Sequence, residues 1–315
     1  MGPPVTMNRQ ACIIAAGEWG GHRALLKNRD RNYTPQLTLV HEIRAGVEVA
    51  YVRDEVTGWC EGLNARGLGV VNAALAVGVD EAEVKLVKTL GKKSRDGERI
   101  VKALEQRSLD EALAVLRTYK GGLKGHTFVS TPQRTVSLEQ LSEEKAHPAP
   151  VDADEDGDYA VRTNHGIHYA DVGYTEGTGY VSSVVRKERA TTALAAVGDP
   201  FGLAPTLMAA RDENRGDPNN MVRDTARMST TSQLVLDLTA RELHLFLIPG
   251  KCSYEGARVE LPAGRRPAIK TRVYTYREGG TALVELDPKT GAEVGDPRPV
   301  RPSAERVARR FSQTP

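Results

Sequence analysis

Cysteine is scarce in this chain. The 315 residues hold three, Cys12, Cys60 and Cys252, odd in number, far apart and without a Cys-x-x-Cys pair. That usage argues against a disulfide scaffold or a zinc ribbon. Reduced thiols fit the cytoplasm, where we expect the chain to reside. Net charge is also nearly absent: 43 basic against 41 acidic residues leave +2, which supplies no surface for nucleic acid. No apolar run reaches membrane-spanning length, so no membrane partner is expected. "CIIAA" is too short for a signal-peptide core. The chain has no internal repeat and no clear linker. "GEWGGH" is glycine-rich but lacks the Lys-Ser/Thr of a phosphate loop, and no helix follows it. It reads as a turn.

What is present is enough for a core. Apolar residues make up 40% and charged residues 27%, a globular balance. Residues 11–77 read as strands. "CIIAA" and "RALLKN" flank Gly17, Gly20 and Gly21 as one hairpin; "LTLVHEIRAGVEVAYV" turns at Ala45-Gly46 as a second. "GWCEGLNARGLGVVNAAL" is strand, turn, strand, with Asn64 and Gly67 in the turn. Helical spacing follows at Ile100, Val101 and Leu104, then at Leu109, Leu113 and Leu116, with Ser108 and Glu111 spaced as a capping box. Strands return at "HTFVST", "TVSLEQL" and "YAVRTNH". "SSVVRKERATTALAAVG" reads as a helix capped by Ser182 or Ser183, and "GLAPTLMAARDE" as another. "TSQLVLDLTARELHLFLIPG", "TRVYTY" and "TALVEL" read as strands. "HPAPVDADEDGD" (147–158) reads as an exposed loop, and the Pro- and Arg-rich tail from about 296 as loosely attached. The order predicts an α+β fold in which helices cover antiparallel sheets.

Several segments invite a functional reading and lose it on inspection. Asp152, Asp154, Asp156 and Gly157 resemble the front of a calcium loop, but its twelfth position is Thr163 rather than a bidentate glutamate. His165, His168 and Asp171 suggest a metal, yet on a strand the two imidazoles would diverge, and no further His or Cys lies close in sequence. No metal and no cofactor is expected. Cys12 alone is weak, because a buried inert cysteine is the commoner case.

Four segments change the standing of Cys12. It opens an apolar strand, "KNRD" (Lys27, Asn28, Arg29, Asp30) ends the second strand, "EGLNARGLGVVNAAL" brings Asn72, "RTNHG" brings Asn164 and "SSVVR" brings Arg186. In this order they resemble the cysteine branch of the N-terminal-nucleophile hydrolases. The nearest families are the acyl-coenzyme A:6-aminopenicillanic acid acyltransferase-like peptidases, related to bile salt hydrolases and penicillin V acylases. The match spans roughly residues 12 to 250. It departs from the pattern at Ala11, at Ile13 where threonine is usual, and at Lys27 where arginine is common, although Arg29 is close by. A similar opening occurs in a family named for an Asn-Arg-Asp-Glu motif.

The resemblance implies a four-layer αββα sandwich of two antiparallel sheets covered by helices. It implies that residues 1–11 are a leader removed by cleavage between Ala11 and Cys12, leaving 12–315 as one domain. It implies catalytic roles for Cys12, Asp30, Asn72, Asn164 and Arg186, with Lys27, Arg29 and His165 in support. The chemistry is coherent. A thiol with a reference pKa of about 8.5 needs a base, and a freed α-amine at about 7.7–8.0 supplies one without a histidine. In this scheme Asp30 would hold the amine, Arg186 would fix the thiolate or amine network, and Asn72 and Asn164 would donate to the oxyanion. The implied activity is cleavage or transfer of the acyl group of a small amide through a Cys12 thioester, with a homo-oligomer compatible with it. The alternative is a non-catalytic binding or assembly protein on the same fold, with Cys12 unprocessed.

Overall fold

Two glycines set the first strand pair. The computed structural model describes residues 12–75, 96–117, 125–141, 146–151, 159–170, 177–211, 216–226 and 228–300. Gly20 and Gly21 have φ of 61° and 78°, the left-handed values that a tight two-residue hairpin turn requires. A Cβ at Gly20 would also stand 2.3 Å from the Gly198 carbonyl oxygen. The strands on either side, β1 (Cys12–Trp19) and β2 (His22–Arg31), pair antiparallel with Cys12 opposite Arg29 and Ile14 opposite Lys27.

These two strands lie within an eight-stranded sheet. Its order is β10 (Tyr159–Arg162), β1, β2, β11 (Ser229–Asp237), β12 (Glu242–Leu247), β14 (Lys270–Arg277), β15 (Ala282–Leu286) and β16 (Glu293–Pro299). A second sheet runs β13 (Ser253–Glu260), β3 (Gln36–Arg44), β4 (Val47–Asp54), β5 (Cys60–Asn64), β6 (Gly69–Ala73), β7 (Gly125–Ser130), β8 (Thr135–Gln140) and β9 (Ala146–Pro150). All pairings are antiparallel except β12 with β14 and β13 with β3. Both sheets are therefore mixed, because β13 crosses to the second sheet between two strands of the first.

Side-chain alternation along the strands builds the layers. Cys12, Ile14, Ala16 and Leu25 meet Leu37, Leu39, Val71 and Phe128 between the sheets. The intervening residues Ile13, Ala15 and Leu26 face outward onto α3 (Gly177–Leu194) and α4 (Leu203–Ala209) through Ala190, Leu194, Leu203 and Leu207. On the far side Val49, Tyr51 and Val70 pack against α1 (Asp96–Leu104) and α2 (Leu109–Arg117) through Ile100, Leu104, Leu113 and Leu116. Each fully buried aliphatic side chain contributes roughly 1.5–3 kcal/mol. The result is four layers, αββα.

The capping box forms as read: Glu111 N donates to Ser108 Oγ at 3.2 Å, and Ser108 N donates to Glu111 Oε2 at 3.1 Å. Three readings change. Helix α3 begins at Gly177, so Ser182 and Ser183 lie inside it and are not caps. Their hydroxyls bond outward instead, to Pro218 O at 2.8 Å and Thr163 Oγ1 at 3.0 Å. Residues 147–150, read as the start of a loop, lie in β9 on the edge of its sheet. Residues 293–299 form the edge strand β16, which includes the expected start of the tail at about 296. The acidic stretch 152–158 and residues 301–315 lie outside the described residues.

Candidate active site

"KNRD" is divided by the strand it lies on. Successive side chains of β2 point to opposite faces. Lys27, Arg29 and Arg31 therefore share the inter-sheet face with Cys12, while Asn28 and Asp30 face α3.

On the inter-sheet face Cys12 is 1% exposed. Arg31 Nη1 stands 3.7 Å from its Sγ and donates to the Asp30 carbonyl at 2.8 Å. The backbone N–H of Asp30 is also directed at the thiol. Lys27 lies close enough to the thiol for each to shift the other's pKa, donates to the Asn72 carbonyl, and lies 3.1 Å from Glu61 Oε1. Arg29 pairs with the other oxygen of Glu61, and Trp59 Nε1 donates to Glu61 at 2.5 Å. Arg31 Nε donates to Tyr33 Oη at 3.2 Å, and Tyr33 donates to Asp54 at 2.5 Å.

These groups comprise three cations against two carboxylates. The missing negative charge is the one a Cys12 thiolate supplies. Burial pushes the Cys12 thiol up, but Lys27 and Arg31 overcome it with help from the Asp30 amide, leaving the thiol below its ordinary value. The other two cysteines behave oppositely. Burial raises Cys60 to about 12 and Cys252 to about 11. Lys27 responds in turn: burial, opposed by the Cys12 charge and reinforced by Arg31 and Arg29, brings its ammonium down to about 7.

The Cys12 nitrogen donates to Asn164 Oδ1 at 3.1 Å. Asn164 Nδ2 donates to the Ala74 carbonyl at 2.6 Å, and its backbone N–H to Ser183 Oγ at 2.9 Å. Asn164 therefore holds the Cys12 nitrogen, and its own amide nitrogen is taken up by the Ala74 carbonyl rather than left to face an oxyanion. Asn72 is placed differently again. Its amide donates to Thr127 Oγ1 at 2.8 Å on the face that carries Val70 toward α1 and α2, and only its backbone carbonyl meets the Cys12 cluster.

Asp30 and Arg186 form a buried pair on the opposite face. Arg186 Nη2 donates to Asp30 Oδ2 at 2.5 Å and Thr230 Oγ1 donates to Oδ1 at 2.7 Å, while Arg223 Nη1 is 4.0 Å away. Both partners are 0% exposed. The expected bond from Asp30 to the Cys12 amine is absent here, since that nitrogen is taken by Asn164. Arg186 reaches Cys12 only through Asp30. A cavity of about 280 Å³ lined by Met208, Arg223, Thr230 and Tyr276 lies behind this pair, and Cys12 does not line it.

His165 belongs to a neighbouring turn. Its Nδ1 meets Ser183 Oγ at 2.9 Å, and burial together with His126 lowers its pKa to about 4. Residues 163–170 are not a strand, contrary to the reading of the His-Gly-Ile-His stretch. The backbone N–H groups of Ile167, His168 and Tyr169 converge on the Glu139 carboxylate at 3.2, 2.8 and 3.1 Å. His168 stacks on His147 with ring centroids 3.3 Å apart. Among the described residues no cluster of three or more His, Cys, Asp or Glu side chains could hold a metal; Asp171 and Ala11 lie outside those residues.

Arg31, Glu61 and Thr230 are the site groups that motif reading does not single out. Strand alternation alone would have found Arg31, two residues beyond Arg29 on the face of Cys12. Glu61 and Thr230 required the sheets to be assembled.

No protein-family model matches the sequence, and no curated protein matches it. Solved structures do match the fold. An N-acylethanolamine-hydrolyzing acid amidase ortholog from Caenorhabditis elegans superposes with a TM-score of 0.50 at 16% identity, covering 72% of this chain and 93% of that one. A mutant form of the conjugated bile acid hydrolase from Clostridium perfringens gives 0.48 at 13% identity over 90% and 99% of the two chains. Penicillin V acylase from Agrobacterium tumefaciens gives 0.39 at 12% over 75% and 86%. The four-layer arrangement built above and the amidase superposition agree: this chain shares the fold of that amidase, with its layers in the order αββα.

Proposed function

We propose that the chain is an amide hydrolase or acyl transferase working through a thioester on Cys12, once the bond between Ala11 and Cys12 has been cut. One observation carries the reading. Of three cysteines, two are raised by burial, and the one at the head of β1 is lowered, with Lys27 and Arg31 beside its sulfur and Asn164 on its nitrogen.

In the matured chain the α-amine of Cys12 takes the thiol proton, with Asn164 Oδ1 orienting the amine. The thiolate attacks the acyl carbon of a small N-acyl compound or short peptide conjugate. The carbon–nitrogen bond breaks, and the amine product leaves with the proton. Water, or an acceptor amine, then takes the acyl group from sulfur. Arg31 and the Asp30 N–H favour the thiolate without competing for its proton, since arginine stays charged. The amidase whose fold this chain shares is named for hydrolysis of an acyl amide, which agrees with that substrate class. The same reading treats 12–315 as one working domain in the cytoplasm.

Intact-protein mass spectrometry tests it. The wild type is expected to lose the segment before Cys12 and to take up an acyl group on Cys12 from a reactive ester; Cys12→Ala is expected to do neither. A full-length wild-type chain that stays unlabelled would overturn the enzyme reading in favour of a binding protein.

A further inference from the structure

This inference rests on the reading that the bond before Cys12 is cut. The α-amine that serves as base in the mature chain does not exist until that cut is made. In the full chain the Cys12 nitrogen is an amide that donates to Asn164 Oδ1, and an amide nitrogen accepts no proton at neutral pH. The first cleavage needs another acceptor.

The charged and titratable groups around the thiol come from three strands or their ends. β2 supplies Lys27, Arg29 and Arg31, β5 supplies Glu61, and β4 supplies Asp54 through Tyr33; Asp30 lies on the opposite face. Arginine cannot take a proton. Glu61 is occupied by Lys27, Arg29 and the Trp59 indole. Tyr33 is itself a donor to Asp54, and Asp30 is held by Arg186 and Thr230. His165 is engaged with Ser183 and His126 with the His165 carbonyl. Lys27 is the group that both shares the face of the sulfur, close enough to shift its pKa, and can exchange a proton.

We propose that Lys27 is a catalytic residue of maturation, taking the Cys12 thiol proton and returning it to the departing Cys12 nitrogen. The thiolate sulfur bonds to the carbonyl carbon of Ala11 as the carbon–nitrogen bond to Cys12 breaks. The Lys27 ammonium protonates that nitrogen, which becomes the free α-amine. Water then hydrolyses the thioester, releasing the leader as a carboxylate and restoring the thiol. The position of the Lys27 ammonium near pH 7 suits both halves of this transfer.

The test follows leader loss by intact mass in full-length chains made by cell-free translation and shifted to buffers across the neutral range. The wild type is expected to show a bell-shaped rate profile. Its falling limb lies where Lys27 gives up its proton as pH rises through about 7. Lys27→Arg keeps the charge but cannot exchange the proton. It is expected to slow leader loss by roughly 100-fold, the scale of general acid–base catalysis, and to lack the falling limb. A merely structural cation would be rescued by arginine. An arginine variant that matures at the wild-type rate with the wild-type profile overturns the role of Lys27 while leaving maturation intact. A wild type that keeps its leader overturns maturation itself. Thermal unfolding checks that the variant folds; if it does not, a wild-type profile flat from about pH 6 to 8 overturns the proposal.

Discussion

Charge at Cys12 is set by arithmetic on a single strand face. Lys27, Arg29 and Arg31 are all buried in the space that Glu61 and Asp54 only partly neutralise. Deprotonating the thiol completes the balance, whereas at Cys60 and Cys252 the nearby cations do not offset burial and the thiols are raised. Alkylation read by peptide mass spectrometry over a pH series should show this. Modification of Cys12 is expected to rise with pH and reach its midpoint below the ordinary thiol value of about 8.5. Cys60 and Cys252 are expected to remain unmodified in the folded chain across the same range. Because Cys12 is buried, the probe must be small; equal reactivity of all three thiols would refute the charge argument. Lys27 and Arg29 of this cluster were legible among the four residues of "KNRD"; Glu61 and Arg31 were not. Nor was the partition of that run between two faces, because it depends on where β2 pairs with β1 and which layer covers each side.

At the scale of elements, the turn over residues 163–170 acts as a clamp. It carries Asn164, and it is tied down at its far end by Glu139 of β8, whose carboxylate gathers three backbone N–H groups. Glu139→Ala would leave those donors without an acceptor, at about 1–3 kcal/mol for each one kept from water. Hydrogen exchange over 163–170 is expected to accelerate, and the proposed leader loss to slow because Asn164 no longer holds the Cys12 nitrogen. Unchanged exchange in that turn would show that the clamp lies elsewhere. The hairpins and the Ser108–Glu111 box could be read from sequence because their signals are local: positive-φ glycines, or a hydroxyl three residues from a glutamate. The start of α3 could not. Ser182 and Ser183 look like caps, but partners remote in sequence, Pro218 and Thr163, claim their hydroxyls while the helix extends upstream. β9 was hidden for a related reason, since His-Pro-Ala-Pro has no strand pattern of its own and is recruited by the edge of β8.

For the whole molecule, the buried Asp30–Arg186 pair fastens α3 to the centre of the first sheet. Replacing Arg186 by Met removes one partner of a pair that water does not reach and leaves a carboxylate with only Thr230 and the more distant Arg223. Urea unfolding is expected to show a loss of about 3–5 kcal/mol. A loss below about 1 kcal/mol would mean that the pair acts as an exposed ion pair does. The layering itself followed from the alternation of strands and helices, but the mixed sheets did not, because the crossing of β13 between them leaves no local trace. The long reach of these contacts has a consequence for synthesis. Asn164 lies 152 positions from Cys12 in the chain, and Thr230 lies 200 from Asp30. A nascent chain on the ribosome, emerging N-terminus first at about 5–20 residues per second, exposes Cys12 long before either partner exists. The hydrogen-bond network around the thiol and Asp30 is therefore complete only after translation has passed β11. Under the maturation proposed above, loss of the leader would mark each molecule as fully made and correctly folded, a record of quality written at its first residue.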